Sequence, residues 1–405
     1  MQLTRDAYLI LATRTVRSFS DGFVSVLLAS YLARLGFSGV RIGAITTVTL
    51  LGTAAATIVA GAIADRFGRR RLLLMASVVA AGTGLAFAST TAFVPILFIA
   101  LIGTLNPSFS DVSVFLPIEQ AILPETVERQ RRTALFARYN LFAVLAASSG
   151  ALFAGLPSLL VRVFDWDLTD AMRGMFVFYG VLALVNFAAY RALSPSIETV
   201  PGEPRAPLHR SRNIVFGLSA LFALDAFAGG FIVQSMLALW LFERYGLSIG
   251  QTGVIFFVAG IFTAFSFLVA ARVAERFGLI NTMVFTHLPS NILLIAVALM
   301  PNVWLAVVML LARQSLSQMD VPTRQSYVMA VVDPDERAAA ASVTGVSRSL
   351  ASSGSPVIAG AMLGATSFGW PLIVAGTLKS VYDLLLLRQF RAVKPDEEVI
   401  SIVRV

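Results

Sequence analysis

The sequence predicts an all-α membrane protein, with twelve transmembrane helices in two pseudo-symmetric six-helix bundles. Three observations carry this expectation. First, 57% of the 405 residues are hydrophobic and only 13% are charged, against about 25% charged in an ordinary soluble domain. That is too little charge to clothe a water-facing surface. Second, the apolar residues gather into stretches of the length a bilayer demands. A hydrocarbon core about 30 Å thick takes roughly 20 residues of helix rising about 1.5 Å each. Third, the second half of the chain repeats the first.

In chain order the expected spans of the first half are 7–33, 39–64, 72–90, 94–122, 133–156 and 173–193. Those of the second half are 213–242, 249–274, 281–300, 303–331, 337–364 and 370–390. They define a first bundle over 1–193, a cytoplasmic linker over 194–212, a second bundle over 213–390 and a cytoplasmic tail over 391–405. The linker is rich in proline and charge and has no apolar period. Residues 157–174 form a long external connection, with Trp166 suited to the membrane interface. No small-residue cleavage site ends the first apolar run, so the first span is expected to act as an uncleaved anchor.

Arginine placement orients the spans. Arg66, Arg69, Arg70 and Arg71 lie between spans two and three, and Arg129, Arg131 and Arg132 between four and five. Arg205, Arg210 and Arg212 lie in or beside the linker, and Arg391, Lys394 and Arg404 in the tail. The opposite loops hold only Arg34, Arg41, Arg162, Arg173 and Arg244. By the positive-inside rule both termini and the linker face the cytoplasm. The same rule accounts for the net charge of +8, so nucleic acid is not an expected partner. Compact loops and short tails suggest a prokaryotic inner membrane, and a monomer is expected.

The absences exclude several chemistries. Cysteine is missing, and His209 and His287 are far apart, so no thiolate or paired-histidine metal motif exists. There is no phosphate-binding loop of the G-x-x-x-x-G-K-[ST] type and no nucleophile elbow. Neither an enzyme nor a cofactor is expected.

The repeat is ordered. GFSGVRIG at 36–43 matches GLSIGQTG at 246–253, and DRFG at 65–68 matches ERFG at 275–278. LPIEQ at 116–120 matches VPTRQ at 321–325, and Arg132…Gly155 matches Arg337…Gly360. A duplicated six-span unit explains this series of matches.

Residues 61–70, GAIADRFGRR, fit the pattern G-x-x-x-D-R-x-G-R-R, and a degenerate copy, ARVAERFG, stands at the matching point of the second half. In motif, span count, linker and duplication the chain resembles the major facilitator superfamily. The resemblance implies a secondary transporter working by alternating access, with this loop latching the outward-facing state through Gly61, Asp65, Arg66, Gly68, Arg69 and Arg70. In physical terms, Gly61 would let span two approach a neighbour, and Gly68 would permit a tight turn. Asp65 would pair with arginines or face a helix N-terminus. The plainer alternative is that the arginines only set topology.

A charge at the bilayer centre costs at least about 2.5–3.5 kcal/mol, so intramembrane charges must be paired or face water. The resemblance implies a cavity lined by spans one, four, seven and ten. Span one places Arg14, Arg17 and Asp21 on one helical face, where Arg17 and Asp21 could pair. Span four holds Asn106, Asp111, Glu119 and Gln120, and span seven holds Asp225 and Gln234. Span ten is the most polar, with Arg313, Gln314, Gln318, Asp320, Arg324 and Gln325. Arg138 and Arg348 come from spans five and eleven. Pro117 and Pro322 are expected to kink spans four and ten. Alternatively, the inner-end charges close the cytoplasmic side as salt bridges, Arg138 with Glu119, or Arg324 with a carboxylate of span one.

Asp21 and Asp320 are the leading candidates for a proton site, followed by Asp111 and Asp225. The expected function is proton-coupled export of a small organic solute. Span five reads SSGALFAG and lacks the proline of the family's drug antiporters, and the R-x-x-x-G pattern expected in span four is missing. The surplus of cavity-side arginines suits an anionic or zwitterionic substrate, unless the chain's own aspartates satisfy them, and uptake or facilitated passage of such a metabolite is the alternative function. A non-transporting receptor of the same fold is the alternative from another class.

Overall fold

The computed structural model describes residues 4–108, 113–128, 132–198, 208–333, 336–391 and 393. Among the described residues there are seventeen α-helices and no strand. In the first half these are α1 (Arg5–Arg34), α2 (Gly39–Phe67), α3 (Arg69–Ser89), α4 (Phe93–Ile102), α5 (Phe115–Ile122), α6 (Arg132–Phe153), α7 (Leu156–Phe164) and α8 (Leu168–Arg191). In the second half they are α9 (Arg212–Gly230), α10 (Gln234–Tyr245), α11 (Ile249–Phe277), α12 (Leu279–Leu299), α13 (Val303–Ser317), α14 (Asp320–Val331), α15 (Arg337–Gly354), α16 (Pro356–Ala365) and α17 (Trp370–Phe390).

Each expected span is occupied by one helix or by two in succession. Eight stretches of the described residues are long and apolar enough to cross a membrane. The expected spans left out are one, four, ten and eleven. α1 carries Arg14, Arg17 and Asp21, and α13 and α14 carry Arg313, Asp320 and Arg324, so apolarity fails there rather than length. Span four is interrupted between α4 and α5, and span eleven breaks at Ser355 between α15 and α16. Irregular backbone at membrane depth is tolerated only where protein or water satisfies it. At the first of these breaks Asn106 Oδ1 accepts the Ser108 backbone N–H at 3.0 Å and the Ser108 hydroxyl at 2.9 Å.

Pro117 and Pro322 act differently from the kink expected of them. Each is the third residue of a short helix, α5 or α14. A missing N–H costs nothing in a first turn, so the helix restarts just before the proline instead of bending at it. The connection over 157–174 takes in all of α7 but its first residue. Asp165 follows it in the left-handed region (φ 56°), and Asp167 then caps α8 by accepting the backbone N–H of Thr169 at 2.7 Å and of Asp170 at 3.2 Å. Those hydrogen bonds, led by the one from Asp170, hold the Asp167 carboxyl below its ordinary value.

The helices group into two compact units. Unit 1 comprises Met1–Gly202, Val233–Gly260 and Pro356–Ser367, and unit 2 comprises Glu203–Ile232, Ile261–Ser355 and Phe368–Val405. Within unit 1, repeat-related residues make repeat-related contacts. A Cβ on Gly43 would lie 2.4 Å from the Pro356 carbonyl oxygen, and one on Gly253 would lie 2.3 Å from that of Ala151. Gly43 corresponds to Gly253 in the duplication, and Ala151 to Pro356. Gly360 similarly meets Gly39, and its counterpart Gly155 meets Gly250. Small residues let helix backbones touch, and packing of this kind holds membrane helices together.

In unit 2 the core is an apolar cluster around Leu218, Phe222, Met283, Tyr327, Tyr382 and Leu386. α12 packs against α13, α14 and α17, and α9 against α15 and α17.

Candidate functional site: two buried charge clusters

Unit 1 holds a cluster centred on Glu119 of α5, which is fully buried. Arg17 of α1 donates Nη1–H to Oε1 at 2.8 Å and Nη2–H to Oε2 at 2.6 Å, the two-pronged geometry that suits guanidinium to carboxylate. Tyr190 of α8 donates to Oε1 at 2.6 Å and Tyr139 of α6 to Oε2 at 2.5 Å. Thr13 adds a longer bond to Oε1 at 3.4 Å, and Tyr190 Oη also accepts from Arg17 Nη1 at 2.9 Å. Arg17 lies over the Phe115 ring at 4.6 Å, and Arg14 over the Tyr139 ring at 4.9 Å. The adjoining cavity, lined by Arg17, Ser20, Ser77, Tyr179 and Asn186, has a volume of about 10 Å³, room for roughly one water. The cluster joins α1, α5, α6 and α8.

Unit 2 holds a cluster centred on Asp225 of α9. Lys379 of α17 donates to Oδ1 at 2.5 Å, while Arg348 of α15 and Arg324 of α14 donate to Oδ2 at 3.0 Å and 3.4 Å. Arg324 also donates to Asp320, one turn earlier on α14, at 2.7 Å, and lies over the Phe222 ring at 5.6 Å. Arg313 of α13 is close enough to Asp320 and Asp225 to feel both charges, and its Nη1 donates to Gln314 at 2.8 Å. Its Nε is buried without a hydrogen-bond partner. Beyond Lys379 on α17, Asp383 receives His287 Nδ1 at 3.0 Å and Asn291 Nδ2 at 2.7 Å, both from α12.

The structure therefore gathers Asp225, Arg313, Gln314, Asp320, Arg324 and Arg348 in unit 2. Gln318 ends α13 as its C-terminal cap. Arg14 and Arg17 lie in the unit 1 cluster. The ion pair of Arg17 is with Glu119, the partner expected for Arg138, rather than with Asp21. Asp21 is half-buried and Arg138 exposed. Arg324 meets Asp225 and Asp320 in place of a carboxylate from span one. Gln234, in unit 1, is buried and its Nε2 has no partner. Asp111 lies outside the described residues.

Reading the spans expected to line a cavity, with Arg138, Tyr139 and Asn140 added from span five, missed Lys379, His287 and Asp383, together with Tyr190 beside Glu119. The signal was available: Lys379 is the sole lysine in any expected span, and His287 and Asp383 are ionisable groups at membrane depth.

At the loop of residues 61–70, Gly68 takes φ 88° between α2 and α3, and Gly278 takes φ 82° at the repeat position. Gly61 does not serve a close approach, because a Cβ there would meet nothing within 4 Å. The side chains of Asp65 and Arg66 lie outside the described residues. The α3 N-terminus is capped by Glu198, whose Oε2 accepts the Arg69 backbone N–H at 2.7 Å and whose Oε1 accepts that of Arg70 at 3.1 Å. Arg69 donates to the Ile197 carbonyl at 3.2 Å, and Arg70 to that of Arg191. In unit 2, Glu336 plays the equivalent part ahead of α9. It accepts the backbone N–H groups of His209, Arg210 and Ser211 at 2.8, 2.8 and 2.9 Å. Desolvation pushes this carboxyl up, but the hydrogen bonds from Ser211, His209 and Arg210 outweigh it and bring it down to about 2.

Comparison with known proteins agrees with this architecture. The Major Facilitator Superfamily profile matches residues 10–356 and again 226–400, so the chain belongs to that family of multi-pass membrane transporters. An uncharacterized membrane protein of Saccharomyces cerevisiae is 22% identical over 425 aligned positions, covering 96% of this chain and 95% of the yeast protein. The fold is shared with the POT family transporter PepTSo (TM-score 0.74, 12% identity, 97% of this chain and 99% of that one). It is shared too with a bacterial homologue of the human lysosomal transporter Spinster (0.73, 15%, 95% and 96%). A D-xylose–proton symporter has it as well (0.72, 17%, 94% and 97%).

Proposed function

We propose that this chain is a proton-coupled secondary transporter of a small organic solute bearing an anionic group, working as a monomer by alternating access. The two six-span bundles over 1–193 and 213–390 would be its moving parts, with the termini in the cytoplasm of a prokaryotic cell. One observation supports the choice of solute. In unit 2, four buried or half-buried cations, Arg313, Arg324, Arg348 and Lys379, stand among three buried carboxylates of the described residues, Asp225, Asp320 and Asp383, the last also facing His287. Buried charge of one sign is costly until it is paired, so a carboxylate, phosphate or sulfate entering the cluster supplies what the chain lacks.

Arg348 is the natural first contact. Its side chain is 30% exposed, against 9% for Arg324 and Lys379, and a guanidinium can present two parallel N–H groups to an oxyanion. Arg313, buried and influenced by both Asp225 and Asp320, is the second. The solute's charge would compete with Asp225 for Arg348, and an arriving proton would offset the rearranged charge.

Purified protein in proteoliposomes tests the proposal. Uptake of radiolabelled organic anions is measured with a pH gradient of either sign, which also distinguishes export from import. Gradient-driven flux of an anion that Arg348→Gln reduces about tenfold is the expected result. Flux confined to cationic solutes, or unchanged in Arg348→Gln, would overturn the anion assignment. No flux of any solute class would favour a receptor.

A further inference from the structure

Three buried polar groups of unit 2 have no part in holding an anion. Asp383 of α17 is fully buried, and both its oxygens face His287 Nδ1, at 3.0 and 3.1 Å. Asn291, one turn beyond His287 on the same face of α12, donates to Oδ2 at 2.7 Å. With Asp383 ionised its oxygens only accept, which places the hydrogen of neutral His287 on Nδ1 and leaves Nε2 as the basic nitrogen.

We propose that the His287–Asp383 pair binds the coupling proton and communicates with the anion site through Lys379 and Asp225; this rests on the transport function above. The step balances simply. A hydronium ion gives its proton to Nε2, so one O–H bond breaks, one N–H bond forms and water is released, and the pair changes from one net negative charge to zero.

Lys379 makes the link. It stands one helical turn before Asp383 on α17, hence on the same face, and its ammonium is 2.5 Å from Asp225 Oδ1. One cation thus serves two carboxylates. When the pair is negative, Lys379 is drawn along its helix toward Asp383, and Asp225 relies on Arg348 and Arg324. When the pair has taken its proton, Lys379 belongs to Asp225 alone, and Arg348 is released to a solute anion. Proton and anion therefore favour each other's binding, and by linkage the effect is reciprocal.

Every packed element contributes to this environment. α12 supplies His287 and Asn291, and α9 supplies Asp225. α14 supplies Asp320, Arg324 and Tyr327, and α13 supplies Arg313. α17 itself adds Lys379 and Tyr382, whose ring meets the imidazole edge-on at 6.1 Å.

The chain has only two histidines, and His209 is exposed ahead of α9. His209→Gln therefore leaves a single imidazole to observe. ¹⁵N-histidine NMR of that full-length protein in detergent is followed from about pH 5 to about pH 8, where imidazoles titrate. One titration is expected, with its midpoint moved by at least about half a pH unit in Lys379→Gln and in Asp225→Asn. Lys379→Arg, which keeps the charge, should restore the original midpoint and serves as the folding control. An imidazole that stays in one protonation state, or a midpoint identical in all four proteins, would overturn the proposal. Because no solute is involved, the outcome separates from that of the flux assay. A coupled titration without flux faults the transport function, and pH-driven flux without a titration faults the proton site.

Discussion

In unit 1 an arginine of α1, Arg17, meets a carboxylate of α5, Glu119; in unit 2 a carboxylate of α9, Asp225, meets an arginine of α14, Arg324. The helices correspond in the duplication, and Glu119 stands at the repeat position of Arg324. Each half thus joins its first and fourth spans by an ion pair, with the charges exchanged. The surroundings are exchanged with them. Arg17 lies over Phe115 of its partner helix and Arg324 over Phe222 of its partner helix, while Tyr190 of the last span stacks on Phe115 at 6.0 Å and Tyr382 meets Phe222 edge-on at 6.4 Å between centroids.

What differs is closure. The Glu119 bridge is short, two-pronged and completed by two tyrosine hydroxyls. The Asp225 bridge is stretched to 3.4 Å, because its arginine is shared with Asp320 and its carboxylate with Lys379 and Arg348. A carboxylate filled by one two-pronged arginine and two tyrosines braces helices, even though Arg17 Nε is left without a partner, and one shared among three cations can change partners. The same duplicated geometry is therefore a strut in one half and, by our proposal, a binding site in the other.

The largest test of this contrast is at Glu119. Glu119→Ala should cost about 3–5 kcal/mol, the usual penalty for stranding a buried charge, read as a fall in Tm and in folded yield. Survival of Glu119→Ala with unchanged Tm would show that the bridge is no strut. The small-residue contacts provide the symmetric control. Gly43→Leu and Gly253→Leu each push a side chain into backbone atoms and should each cost about 1–3 kcal/mol. Losses that differ several-fold would mean the two contacts are alike in geometry only.

In unit 2, Arg348→Gln should lower anion flux about tenfold, equivalent to about 1.4 kcal/mol, with Tm nearly unchanged because the side chain is partly exposed. A collapse in Tm with residual flux intact would make Arg348 a brace like Arg17. The smallest effect is expected at Glu336. Its carboxyl lies below its ordinary 4.5, at about 2, so its contribution is fully present above pH 4.5 and is lost as pH falls through about 2. Glu336→Gln should therefore lower Tm at neutral pH, with the deficit shrinking as pH falls below 4.5. A deficit that did not depend on pH would assign the stabilisation to shape rather than charge.

The mutual partners of these charges were only partly legible. Arg14, Arg17 and Asp21 share a helical face by spacing alone, yet spacing does not say that Arg17 turns to Glu119. The i, i+4 pair of Asp320 and Arg324 is readable within one helix. By contrast, the meeting of Asp225 with Lys379 spans 154 residues of sequence, and no local pattern encodes it. Gly68 was legible as a turn because its conformation is local. Gly61 was misread because close approach depends on which neighbour is present.

The sequence by itself determined that this protein lives in a bilayer, that it is helical, that it is duplicated and that it belongs with the facilitators. The first three follow from composition, segment length and internal repetition, which act residue by residue along the chain, while the likeness to the facilitators rests on the motif at residues 61–70 together with span count, linker and duplication. Only the tertiary structure decided which charges neutralise one another, and how many partners Glu119 and Asp225 each hold. Pairing energy falls steeply with distance and with access to water, and both are set by helices that meet far from where they adjoin in sequence.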